Sequence, residues 1–162
     1  MADIEAPTIV LTGAGVIVAI VYGILTLRDT TRTRQAELYM RIYERGSTVE
    51  FYSAAELVVE GSHWRDFSQF LGMYQKDPAF HAAIQRLGGF YEGLGVLVRE
   101  NLLDIRLVAL FFTSTTKQFW EKLRDSVYEW RKVSNTPRML SETEYLYNEL
   151  MKCLDRHPEV KT

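Results

Sequence analysis

The sequence has a single cysteine, Cys153, in 162 residues, so no disulfide can close within the chain. One thiol fits a reducing compartment. Lysine and arginine are absent from the first 27 residues and are not in excess afterwards, the totals being 19 Lys and Arg against 21 Asp and Glu. Asp3 and Glu5 account for the whole difference, which leaves the rest of the chain neutral. Nucleic acid is therefore not expected as a partner, because phosphate binding draws on a surplus of basic side chains. Proline is scarce as well: after residue 27 only Pro78, Pro137 and Pro158 occur, each where a helix would begin or end. No segment alternates apolar and polar residues as a half-buried strand does, and there is no internal repeat or low-complexity linker. An all-α fold is expected.

What is present is concentrated at the start. Thr8 to Leu27 is a charge-free run that would extend roughly 30 Å as a helix, the hydrocarbon thickness of a bilayer. A secretory signal peptide would need a basic leader, and MADIEAP carries only carboxylates. The run is therefore expected to be one N-terminal transmembrane helix that stays attached. Arg28, Arg32 and Arg34 follow it and no basic residue precedes it, so the amino terminus should face outward and the body the cytoplasm. These three arginines are the candidates for contact with the membrane surface. Within the run, Gly15, Ala19 and Gly23 recur every four residues along one face, a pattern that admits close approach of a second helix or simply reflects membrane composition.

Beyond the run the apolar spacing is helical throughout. Leu38, Tyr39, Ile42 and Tyr43 share a face up to Gly46, and Ser47 to Glu50 has capping-box spacing for a second helix reaching about Glu60. A third, from about His63 to Gln75, carries Trp64, Phe67, Leu71 and Tyr74. Asp77 offers an N-cap with Pro78 at the first helical position. The helix it opens is the central one, with Phe80, Leu87 and Leu94 in one row and Ile84, Tyr91 and Val98 beside it. Asp104 is expected to cap a short helix through Phe112, and Thr115 or Thr116 to open a separate long one with Trp120, Leu123, Val127 and Trp130 inward. Asn135, Thr136 and Pro137 end that helix, and Ser141 to Glu144 forms a second capping box before Leu146, Tyr147, Leu150 and Leu154. The body reads as a cytoplasmic bundle of about six or seven helices.

Chemistry is harder to find. His63, His81 and His157 stand apart from one another. Glu60 and His63 give one Glu-x-x-His, but Gly61 and Ser62 interrupt it, and a surface histidine near a turn is the expected outcome. Gly88, Gly89, Gly93 and Gly95 lie inside a periodic helix and not between a strand and a helix, so they are not a phosphate loop. Close helix packing is their expected use, with Gly89 and Gly93 as the candidate contacts and a groove for a lipid tail or partner helix as the alternative. Glu92 flanks the apolar stripe, where it is either a buried functional carboxylate, one half of an ion pair or solvent-exposed. No nucleophile motif, metal-ligand spacing or cofactor box stands out.

The stretch FYEGLGVLVRENLLDIRLVALFF from Phe90 to Phe112, with Phe119, Trp120, Trp130 and Arg131, resembles an uncharacterised domain-of-unknown-function family found in bacteria and archaea. LYMRIYERGSTVEFYSAAELV, from Leu38 to Val58, is similar to the family's first helices. The resemblance implies a single-span anchor carrying a helical domain and implies no activity. The family pattern favours glycine near Asn101, from which this chain departs.

The expected layout is a short extracytoplasmic tail over 1–7, a transmembrane helix over 8–27, a juxtamembrane helix over 28–46, a cytoplasmic helical domain over 47–157 and a tail over 158–162. The expected function is a membrane-anchored interaction module, not an enzyme and without cofactor. It would be an accessory, scaffold or regulatory subunit of a membrane complex, or a homo-oligomer joined through the span, located in the cell membrane. The alternatives are a lipid-sensing module on the inner face, with Arg41 and Arg45 added to the three arginines above, and an enzyme with a site near Glu92.

Overall fold

The computed structural model describes residues 5–157, and within them all side chains except those of 5–18, 21, 28, 29 and 32. All regular structure among the described residues is α-helical: α1 (Glu5–Gly46), α2 (Val49–Val59), α3 (Phe67–Lys76), α4 (Pro78–Arg99), α5 (Ile105–Ser134) and α6 (Ser141–Arg156). The chain separates into two compact units, the first ending at Leu38 and the second beginning at Tyr39. Each is treated on its own below.

The described residues of the first unit belong to α1, a helix of 42 residues that runs on to Gly46 in the second unit. Thr30 and Thr31 explain the continuity: their hydroxyls donate to the carbonyls of Thr26 and Leu27 one turn back and so cap no new helix. Among the described residues no helix is long and apolar enough to cross a membrane. The transmembrane helix expected over 8–27 is therefore not found there, and most of that run has its side chains outside the described residues.

In the second unit α4 is central, packed against α2, α3, α5 and α6, while α5 also meets α2, α3 and α6. The spacing argument holds for the main rows of α4, although Phe90 and Leu97 are only half-buried, and in α3 the buried residue is Phe70, with Phe67 and Leu71 half-buried. Phe80, Leu87, Leu94, Ile84, Tyr91 and Val98 are all buried, as are Leu123, Leu146 and Leu150 from the facing helices. Asp77 accepts from the amides of Ala79 and Phe80, with Pro78 opening α4 as expected.

Four helix boundaries differ from expectation, each for a local reason. Thr48 caps α2 by accepting from the Phe51 amide, because Ser47 directly follows α1 and donates back to the Tyr43 carbonyl. α3 begins only at Phe67, capped by Asp66, so His63 and Trp64 lie in the preceding loop. Trp64 is nevertheless fixed, since its indole N–H donates to Ser126 Oγ at 3.0 Å. The two helices expected between Asp104 and Ser134 are one, with Thr113 and Thr115 hydroxyls donating back to Ala109 and Phe112 carbonyls. Asp104 caps it as expected, and the Arg106 side chain bonded to that carboxylate holds its pKa below the usual range. Asn135, in the left-handed region at φ 52°, ends it. The fourth difference is at α6, where the Ser141–Glu144 box does not form. Leu140 occupies the cap position at φ 51° and supplies no side-chain bond.

Aromatic rings hold the body in two groups. Phe70 lies at the centre of one, between Trp64, Phe80, Tyr74 and Trp130. Tyr91 links the other, with Phe51, Phe90 and Phe119 around it.

Candidate functional site

The uncapped start of α6 is served from another helix. Glu92 on α4 accepts from the Thr143 amide at 2.7 Å and from the Thr143 hydroxyl at 3.3 Å. A carboxylate there satisfies an amide that the helix itself cannot and sits at the positive end of the helix dipole. Its role differs from each of the readings offered by the sequence: Glu92 is a cap supplied across the α4–α6 contact. Glu144, freed from the expected box, accepts from Arg131 at 2.7 Å and from the Tyr128 hydroxyl at 2.8 Å. Arg131 also donates to the Met139 carbonyl, which ties the α5–α6 turn to both helices.

The glycines of α4 divide by face. A methyl group on Gly95 would collide with the Glu142 backbone, and one on Gly88 would press on Leu140 at 3.2 Å. Gly89 and Gly93, the expected contacts, are exposed and have nothing within 4 Å of an added Cβ. The physical reason is register, since 88 and 95 continue the Ile84–Tyr91–Val98 side of the stripe and 89 and 93 fall beyond its edge. In α1, Ala19 is exposed and Gly23 likewise has open space around it, whereas Gly15 lies outside the described side chains. Arg34 is exposed, and Arg28 and Arg32 lie outside the described side chains.

His63 is exposed in the loop before α3. His81 stacks on Tyr74 with ring centroids 4.2 Å apart. Among the described residues no group of three or more His, Cys, Asp or Glu side chains could hold a metal ion.

Two features were missed by the sequence reading. One is an apolar surface where Tyr39 and Tyr43 lie against the ring of Phe111, itself 55% exposed, with Met40 and Leu110 also open. The other is a cleft of about 330 Å³ between α2 and α5 with α4 beneath it. Tyr52, Ala55, Glu56 and Val59 line it from α2, followed by Glu60, and Thr115 and Gln118 from α5. Leu87, Tyr91 and Phe119 form its floor. Burial pushes the Tyr91 phenol pKa well up, the Thr115 hydrogen bond lowers it in part, and the neighbouring Tyr52 adds to the rise. The phenol thus stays neutral. Residues 52, 56 and 59 share one face of α2 and Glu60 follows at its C-cap, a signal present in the sequence, but the opposite wall comes from residues some sixty positions on.

A family model described as a domain of unknown function, DUF4760, matches residues 9–150, and the chain belongs to that family. No curated protein and no solved structure matches the chain.

Proposed function

We propose that this DUF4760 protein is a membrane-anchored helical module that associates with a protein partner or with a second copy of itself and performs no reaction of its own. One observation carries the reading. Ile20, Tyr22, Ile24, Leu25 and Leu27 on α1 are each more than half exposed, although covering such a side chain is worth about 1.5 to 3 kcal/mol. We read this open apolar surface as the part that a membrane or a partner covers, and the charge-free run from Thr8 to Leu27 fits hydrocarbon. The arginines after the run favour a cytoplasmic body. Membrane anchorage is tested by washing membranes from cells that express the full chain with alkaline carbonate. Retention in the pellet is expected, and release into the supernatant would overturn the anchor. Association is tested by solubilising the retained protein in a maltoside detergent and measuring its mass in solution. A species larger than one chain plus its micelle is expected, and a strictly monomeric one sinks the association.

A further inference from the structure

We propose that the cleft between α2 and α5 binds a small organic cation, an ammonium group on a compact apolar body. The lining carries the argument. Glu56 and Glu60 both contribute to the cleft and no Lys, Arg or His does. Neither glutamate has an ion-pair partner among the described residues. This is a local excess and not a reflection of an acidic surface, because the chain beyond Leu27 has equal numbers of basic and acidic residues. A concave site lined by one sign of charge over low-dielectric walls concentrates counter-ions of the opposite sign.

The rest of the lining selects the kind of cation. The floor is apolar and aromatic, with Leu87, Tyr91 and Phe119 packed so tightly that each is at most 1% exposed. It gives no carbonyl or carboxylate cage, and a hard metal ion takes six or more oxygen ligands. Above the floor Tyr52 is 56% exposed, so its ring is open to an arriving group. An ammonium with methyl or methylene substituents can meet the glutamates with its charge and Tyr52 with its body, the combination used to recognise quaternary ammonium groups. The volume of about 330 Å³ is at the small end of ligand sites. A compact molecule is therefore the fit.

The test titrates the full chain, in a maltoside detergent that has no choline headgroup, with choline, tetramethylammonium, calcium and the neutral choline analogue 3,3-dimethylbutanol. Calorimetry reads affinity, and amide shifts at Ala55, Val59 and Gln118 read location. Saturable binding of the two ammonium ions is expected, at least about tenfold tighter than the neutral analogue, with shifts confined to the cleft. Glu56→Gln combined with Glu60→Gln should weaken it by a further tenfold or more, about 1.4 kcal/mol. Both side chains are exposed, so the double variant keeps the fold, and an unchanged far-ultraviolet spectrum checks this. Tyr52→Leu should weaken choline more than it weakens calcium. Four results overturn the proposal: no saturable binding by either ammonium ion, equal binding of the neutral analogue, preferential binding of calcium, or an affinity that survives the double variant.

Discussion

α1 and α4 are both helices rich in glycine and large apolar residues, yet they stand in opposite situations. In α4 every residue of the Phe80–Leu87–Leu94 row is sealed by other helices, whereas in α1 the large apolar residues Ile20, Tyr22, Ile24, Leu25 and Leu27 are open. The same hydrophobicity stabilises the fold in α4 and is exposed on α1. Pattern alone separates them in part. α4 has a stripe with charged and polar residues on its outer side, and the run in α1 has no charged residue on any side.

The largest difference between the two should be seen on truncating leucines. Leu87→Ala is expected to lower the unfolding free energy of the body by about 2 to 5 kcal/mol. Leu25→Ala should change it by less than about 0.5 kcal/mol. Urea titration of the full chain in detergent, followed by the fluorescence of Trp64, Trp120 and Trp130, measures both. Similar losses for the two variants would remove the contrast.

Within α4 the comparison can be sharpened by opposite signs. Gly95→Ala forces a methyl group onto the Glu142 backbone and should destabilise the body by about 1 to 3 kcal/mol. Gly93→Ala meets nothing and should stabilise it by about 0.5 to 1 kcal/mol through helix propensity. A loss at Gly93 in the same urea titration would mean that its open face is packed in solution.

A smaller effect is expected at the α4–α6 contact. Glu92→Ala should cost about 1 kcal/mol, as for loss of a helix cap, and the amide of Thr143 should exchange its hydrogen faster while the buried middle of α6 keeps its protection. Exchange at Thr143 unchanged by the substitution would show that Glu92 is not its acceptor in solution.

The smallest change in body stability belongs to α1. Ala19→Ile adds bulk to the face shared with Gly15 and Gly23 without reducing hydrophobicity, and it should weaken association in detergent while leaving urea unfolding of the body unchanged. Ile17→Leu, off that face by spacing and close in volume, is the control. Complexes that survive Ala19→Ile would shift the association to the open face of Gly89 and Gly93 or to the patch around Phe111.

The turn at Asn101 illustrates how far local sequence carries. Asn101 sits at φ 55° in the turn between α4 and α5, a left-handed conformation in which glycine is unstrained and asparagine is the best tolerated of the other residues. Asp66, Asp77 and Asp104 are residues of the kind that cap helices, and each accepts from amides of the helix that follows it.

The sequence by itself determined that the chain is helical, that α4 lies at the centre, where α4 begins and most of the large side chains that it buries. These follow from 3.6-residue periodicity and from caps that act over three or four positions, interactions contained within one element. Tertiary structure alone decided which carboxylate serves α6, which two of the four glycines in α4 are pressed by a neighbour, that Thr113 and Thr115 continue a helix, and that Tyr52, Glu56 and Gln118 share a cleft. Each depends on where a second element crosses the first. Glu92 and Thr143 are 51 positions apart in the chain and 2.7 Å apart in space, and no spacing rule within one helix encodes such a meeting.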